Sequence, residues 1–319
     1  MVNRIVHDDR CAVRNNPFKT LSSVPIPTGT RHAGIHVRTL GSRDFDLIGH
    51  FLNRDPTPHL FMISWLENYG VLTPGRKDLF QWVGVFENEL EALALLINQR
   101  LLMLSCPGVQ ADNELRILAS HFGKYEHHVD HIVSPAMVVR PFWDFYKACC
   151  PPPRLVREQK FLSLFSEDLT VLDRHIPRLR LAKKSDLDAV FFASAAMHVE
   201  ESLDNPLEKN PKQFRRHIER RIEMRRTFVS FDNVGRLIFK ADISAQSSKG
   251  SQISGIYVLP SMRRKGHAKR CLHDLCAILF SEGAPLLTLY VNSDNYPARK
   301  LYEGLGFEDH CDFLSVFVV

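Results

Sequence analysis

Three short patterns in the first half of the chain return in its second half in the same order, and this internal repeat limits the fold more sharply than composition does. Val37-Arg38-Thr39-Leu40 followed by Asp44-Phe45-Asp46 matches Leu179-Arg180-Leu181-Ala182 followed by Asp186-Leu187-Asp188. Each reads as a short strand, a polar turn able to cap a helix, and the helix itself. Phe86-Glu87-Asn88, after Val83 and Val85, and Phe231-Asp232-Asn233, after Val229, each mark the turn of a strand pair. Ser134-Pro135-Ala136 and Tyr296-Pro297-Ala298 each open a helix after a β-branched strand. The expectation is an α/β (α+β) chain of two tandem units, each a mixed, mostly antiparallel sheet flanked by helices. Residues 1–34, with Pro-Ile-Pro-Thr-Gly and no sustained period, read as an irregular arm. The first unit spans 35–150; 151–176, opening on Pro151-Pro152-Pro153, is a linker with a strand shared between the units; the second unit spans 177–319.

With 319 residues, 45% hydrophobic and 24% charged, the chain suffices for two such cores. Seven cysteines, at 11, 106, 149, 150, 271, 276 and 311, lack the spacing of a disulfide framework or a zinc site, which points to a reducing cytoplasmic setting. Met1 to Arg10 has no apolar stretch, and the most apolar segment, Leu90 to Leu104, is broken by Asn98-Gln99-Arg100, so neither an export signal nor a membrane span is expected. A net charge of +5 suits some attraction for phosphates and argues against a dedicated nucleic-acid binder.

The chemistry concentrates in the second unit. Gln252 to Val258 alternates like a strand and stops at Pro260; Arg263-Arg264-Lys265-Gly266-His267-Ala268 follows; then Ala268, Cys271, Leu272, Leu275, Cys276 and Leu279 recur at helical steps up to Gly283, a C-cap. A helix N-terminus exposes free N–H groups and partial positive charge, and Gly266 lets a pyrophosphate approach the backbone. Arg263, Arg264, Lys265, Lys269 and Arg270 add charge at that end. Taken alone, the loop is equally a basic turn on an ordinary helix. Pro285 to Val291 then reads as a buried strand, and Asn295, Ala298 and Tyr302 as a following helix with Ala298 and Tyr302 on one face, ended by Gly306.

Together these motifs resemble the GNAT superfamily of acyltransferases, in which a strand, an Arg/Gln-x-x-Gly-x-Gly/Ala pyrophosphate loop and a helix precede a strand and a tyrosine-bearing helix. Leu52-Asn53-Arg54-Asp55-Pro56 with Leu60 to Ser64, Val199-Glu200-Glu201, Phe239-Lys240-Ala241 and Leu289 to Asn292 extend the likeness to a bacterial family of tandem acetyltransferases, over nearly the whole chain after the arm. The resemblance implies acetyl-CoA as acyl donor, a primary amine of a small molecule or protein as acceptor, and no metal. It implies Ile256, Tyr257 and Val258 beside the thioester, residues Arg263 to Lys269 on the pyrophosphate and Tyr302 as proton donor. Glu200 and Glu201 are the candidate bases, with a solvated helix end as the other reading. Asn295 contacts the cofactor or caps its helix, and Asn292 lines the site or shapes a turn. With Pro135-Ala136 laid on Pro297-Ala298, Arg140 takes the place of Tyr302, and Ser105 to Asn113 holds no such loop, so the first unit reads as a degenerate, non-catalytic partner that closes the acceptor cleft or contributes pocket walls. The rivals are an aminoacyl transferase on the same scaffold and a silent CoA-binding sensor. The acceptor and the oligomeric state stay open.

Three features are set aside. His127-His128-Val129-Asp130-His131 clusters metal-type ligands, yet it runs into a strand, where neighbours alternate faces. The basic run Arg215 to Arg226 is interrupted by Glu219 and Glu223 and carries Phe214, Ile218 and Ile222 as an apolar stripe, the pattern of a solvated amphipathic helix. Cys149 and Cys150 have no motif around them.

Overall fold

The computed structural model describes residues 31–32, 34–72, 79–108, 112–125, 129–172, 179–202 and 205–318. Most of the expected amino-terminal arm, and His127 and His128, lie outside them. The first unit runs β1 (Arg31–His32), β2 (Ile35–Thr39), α1 (Phe45–Leu52), α2 (Leu60–Tyr69), β3 (Phe80–Phe86), β4 (Leu90–Ile97), β5 (Leu101–Ser105), α3 (Asp112–Phe122), β6 (His131–Pro135), α4 (Ala136–Tyr146) and β7 (Leu155–Leu164). The second runs β8 (Arg180–Leu181), α5 (Leu187–Ser202), α6 (Pro206–Lys209), α7 (Pro211–Glu223), β9 (Thr227–Phe231), β10 (Leu237–Ser247), β11 (Gly250–Val258), α8 (His267–Ser281), β12 (Leu287–Asn292), α9 (Tyr296–Glu303) and β13 (Glu308–Phe317).

All strands join one 13-stranded sheet in the order β1-β2-β3-β4-β5-β6-β13-β7-β12-β11-β10-β9-β8. Neighbours are antiparallel except β5 with β6 and β11 with β12, one parallel pair per unit. At the centre the units exchange strands: β13 pairs with β6 of the first unit, β7 pairs with β12 of the second, and β7 and β13 pair with each other.

The apolar segment Leu90 to Leu104 is a hairpin rather than a span. Asn98 and Gln99 both take positive φ, 50° and 56°, and Arg100 N–H closes on the Ile97 carbonyl at 2.9 Å, the geometry of a type I′ turn. Both faces of β4 are covered, which is why its sequence is apolar almost throughout. Strand alternation separates two faces. Leu162 and Leu164 of β7 join a core with α8 and α9, and Leu314 and Val316 of β13 join one with α3 and α4. Phe161 and Phe313 point the other way, into the core under α1 and α2. A further core under α5 and α7 holds Val229, the ladder partner of Lys240, while Phe239 and Ala241 of the same strand face α8. The sheet therefore has a front, covered by α1, α2, α5 and α7, and a back, covered by α3, α4, α8 and α9. On the front, Phe161 packs against Phe313 and Tyr290 with ring centroids 4.7 and 5.2 Å apart, so one aromatic cluster spans the exchanged strands.

The repeated sequence patterns become one repeated constellation. Arg38 donates to both oxygens of Asp44 at 2.9 and 2.7 Å and lies 4.6 Å over the Phe86 ring; Arg180 donates to Asp186 at 2.6 and 3.0 Å and lies 5.0 Å over Phe231. Each aspartate also accepts a backbone N–H, from Gly41 and from Lys183, and so closes the turn into the first helix of its unit. The basic run is α7, with Ile218 and Ile222 buried. Among the described residues no helix is long and apolar enough to cross a membrane, and the six cysteines are free thiols.

Candidate functional site

In the second unit the parallel pair opens like a V. β11 and β12 are in register only at Ser251 with Leu287 and Gln252 with Thr288. Beyond Gln252 the β12-facing edge of β11 has no ladder partner. The cause is local: between Ser254 and Tyr257 β11 carries one residue more than β10 opposite, a bulge that bends it away. Gly255 sits in that bulge at φ +57°, and a Cβ there would stand 2.4 Å from Asp242 Oδ2. Ile256, Tyr257 and Val258 all lie on this parted stretch. The Tyr257 side chain, however, is buried in the front core rather than open to the V.

The loop after β11 ends at the N-terminus of α8. Arg264 and Gly266 have positive φ, 59° and 77°, and Gly266 is the N-cap without a side-chain cap. Among the described residues the N–H groups of Lys265, Gly266, His267, Ala268 and Lys269 have no acceptor. Left-handed residues that aim successive N–H groups at one place form a concavity suited to an anion, and the helix dipole favours negative charge there. Burial, then Arg270 and Lys265, keep the His267 imidazole below its ordinary range. Arg263 does not project to that place: its Nε donates to the Val258 carbonyl at 3.0 Å, its Nη2 donates to both Glu200 oxygens at 2.9 Å, and its guanidinium lies 5.5 Å over Tyr257. Of the two carboxylates ending α5, Glu200 is thus committed to bracing the loop.

Glu201 has another environment. It stays accessible to solvent, yet the protein around it desolvates the carboxyl and raises its pKa; Glu200 adds to this, while Lys240 and Arg157 oppose it. Tyr302, 6% exposed, comes from the back of the sheet and packs edge-on against Phe307 at 6.0 Å. Its hydroxyl makes no hydrogen bond among the described residues. Burial, and then the charge of Glu201, push its pKa up. Below lies a buried cluster: Lys240 Nζ donates to Asp242 Oδ2 at 2.6 Å, Arg221 Nη1 to the same oxygen at 3.0 Å, and Thr227 Oγ1 to Oδ1 at 2.7 Å. Burial alone would raise the Asp242 carboxyl, but the two cations hold it low, and the site floor is charged yet satisfied.

Asn295 is the N-cap of α9, accepting from Ala298 N–H at 3.3 Å, and Asn292 meets Gln159 across the ladder at 3.5 Å. The helix ends two residues earlier than expected: Gly304 is its C-cap, and Gly306, at φ +100°, instead lies where a Cβ would run into the Asp168 carbonyl. Sequence reasoning missed Arg157, Gln159 and Ser315. They lie on exchanged strands, and the alternation of Arg157, Gln159 and Phe161 was the signal available.

The first unit has the same V but closes it. β5 and β6 pair only at Leu101 with His131 and Leu102 with Ile132; beyond that, Ser134 Oγ accepts the Leu104 N–H at 2.7 Å and fills the gap. Its helix α3 opens on Asp112 and Glu114, and Glu91 is pushed up by burial, then by Glu89 and Glu114. An anion at that end meets negative charge. Arg140, at the position of Tyr302, is paired with Glu158 at 2.7 Å. Asp130 pairs with Arg100 and His131 stacks on Phe317 at 4.1 Å; among the described residues no His, Cys, Asp or Glu cluster suits a metal.

Residues 196–307 match the sequence model of the acetyltransferase (GNAT) family. No curated protein matches the chain. Among solved structures, a Drosophila protein is similar over 88% of this chain and 98% of its own (TM-score 0.64, 13% identity). A GCN5-related N-acetyltransferase from Sphaerobacter thermophilus is similar over 90% and 96% (0.56, 14%). A tandem GNAT protein from the clavulanic acid biosynthesis pathway is similar over 89% and 99% (0.52, 12%). With one parallel V per unit, a GNAT-family match over residues 196–307 and full-length likeness to a two-unit structure, the chain has the tandem-GNAT fold, and its second unit carries the sequence pattern of the acetyltransferase (GNAT) family.

Proposed function

We propose that residues 177–319 form the catalytic unit and transfer an acetyl group from acetyl-CoA to a primary amine, with residues 35–150 as a non-catalytic partner walling the acceptor side. The carrying observation is that Tyr302 packs in the core that also meets Ile256 and Val258 at the parted strands, beside the N–H groups that start α8 and have no acceptor among the described residues. Acetyl-CoA supplies the acetyl group as an activated thioester. The N–H groups from Lys265 to Lys269 fit its pyrophosphate, with Arg264 and Lys269 adding charge and Arg263 stiffening the loop through Glu200. The parted edge of Ile256 to Val258 offers backbone donors where negative charge develops on the attacked carbonyl oxygen.

An amine attacks only when neutral. Glu201, with its raised pKa and open access, takes the proton from the ammonium form, directly or through water. Tyr302 is held protonated by burial and gives its proton to the departing thiolate. Glu200 is tied to Arg263 and does not serve as the base. Asn295 acts as a cap, and Asn292 lines the acceptor side.

Incubation with acetyl-CoA and a library of amines, reading thiol release and product mass, tests the proposal. The native protein is expected to release thiol with at least one amine, and a folded Tyr302→Phe protein to lose about a hundredfold in turnover. Tight CoA binding without product from any amine would instead favour a silent CoA sensor.

A further inference from the structure

Odd-numbered residues of β7 face the front, so Arg157 and Gln159 lie beside Phe161 on the floor between α2 of the first unit and α5 of the second. Arg157 is half-buried. One of its groups is used: Nη2 donates to the Glu201 backbone carbonyl at 3.0 Å. Its Nε is buried with no acceptor, and among the described residues Arg157 has no carboxylate partner. A guanidinium is charged at every physiological pH, so a buried N–H without an acceptor is costly unless something else meets it.

The surroundings extend this polarity. Ser315, the ladder partner of Arg157 on β13, donates to Gln159 Oε1 at 2.7 Å, and Gln159 reaches towards Asn292 at 3.5 Å. These side chains form a polar line across β13, β7 and β12 towards the V. At its outer end Arg157 and Glu201 feel each other's charge without forming an ion pair. A positive group with one buried N–H that has no acceptor therefore stands next to Glu201, which is exposed.

We infer that the acceptor is an amine that also carries an anionic group, a carboxylate or a phosphate, and that Arg157 holds that group while Glu201 receives the amine. This rests on the acetyl-transfer reading above. The planar guanidinium offers paired N–H donors that match a carboxylate or phosphate edge, whereas a lysine would offer only a point charge.

The test uses matched acceptors with and without the anion: lysine and cadaverine, phenylalanine and phenethylamine, O-phosphoethanolamine and ethanolamine. The full chain is incubated with acetyl-CoA and thiol release gives kcat/KM for each. In the native protein the anionic member of at least one pair is expected to be favoured tenfold or more, and which pair shows it separates carboxylate from phosphate. In Arg157→Gln that ratio is expected to fall close to one through a rise in KM for the anionic member, with partial recovery in Arg157→Lys. A native ratio near one in every pair overturns the inference, whether or not the variants fold. An equal loss on both members in Arg157→Gln also overturns it, because Arg157 would then only brace the Glu201 carbonyl. No thiol release with any acceptor, while acetyl-CoA still binds, would instead overturn the acetyl-transfer reading itself.

Discussion

At the scale of single residues, Glu201 and its neighbour Glu200 differ by one position and by most of their physics. Glu200 shares its charge with Arg263, an ion pair nearly half exposed on both sides, while the Glu201 carboxylate forms no ion pair among the described residues. Desolvation, opposed by Lys240 and Arg157, sets the Glu201 carboxyl above its ordinary value of 4.5. A base must be ionised to act, so kcat/KM is expected to fall as pH drops through that raised pKa. Tyr302 titrates far above neutrality and adds no loss in the neutral range. In Glu201→Gln the acid limb should vanish and turnover fall about a hundredfold. A pH–rate profile with the same acid limb in the variant would assign the base elsewhere. Asp274 is also buried and acidic, but it lies on α8 at the back, facing His273, and has no place on the acceptor side.

At the scale of elements, the two units are joined by small polar devices. Ser64 on α2 takes the free edge of β10: its hydroxyl donates to the Gln246 carbonyl at 2.8 Å and accepts the Gln246 N–H at 3.0 Å, acting as a missing strand residue would. Glu67 accepts from Ser248 N–H and Oγ at 2.8 and 2.6 Å, so α2 clamps the β10–β11 hairpin that leads into the V. Ser64→Ala leaves both Gln246 groups with one partner fewer and is expected to cost about 1–3 kcal/mol in chemical denaturation. The Arg–Asp–Phe constellation, present once per unit, has a pH signature. The folded-state pKa of Asp186 is depressed, chiefly by the hydrogen bonds from Arg180, so its contribution is complete above the ordinary 3.8 and is lost as pH falls through the lower folded value. Asp186→Asn should therefore lower stability by about 1 kcal/mol at neutral pH, the half-exposed arginine being partly screened, and by progressively less below pH 3.8. Equal destabilisation in strong acid would show that something other than charge is lost. These elements also show what was legible in the sequence. Arg38, Asp44 and Phe86, with their counterparts Arg180, Asp186 and Phe231, were visible because a local turn and a hairpin repeat at matching places. The loop from Arg263 to Ala268 and Tyr302 were visible for the same reason, since short-range geometry demands glycine, a cap and helical spacing. Arg157, Gln159 and Ser315 were not, because their shared face exists only once β7 and β13 have crossed between units.

At the scale of the whole molecule, that crossing decides whether the second unit can stand alone. Both neighbours of β13, namely β6 and β7, precede residue 177, and so does one neighbour of β12. A fragment of residues 177–319 would leave β13 with no partner on either side and expose Phe313, Leu314 and Val316, which in the full chain are at most 4% exposed. The same cut removes Phe161 from the aromatic cluster that Tyr290 and Phe313 complete. Unpaired strand edges with apolar faces aggregate rather than persist, and burial worth about 2 kcal/mol per large apolar side chain is forfeited at each of these positions. The fragment is therefore expected to be insoluble or to lack a cooperative unfolding transition, while the full chain unfolds in one calorimetric transition although it contains two units. Co-expression with residues 1–176 should restore soluble material if the two pieces assemble through β6, β13, β7 and β12. A soluble fragment of 177–319 with a sharp transition and acetyl-CoA affinity equal to that of the full chain would show that the exchanged strands are dispensable, and the first unit would then have to be understood through the acceptor alone.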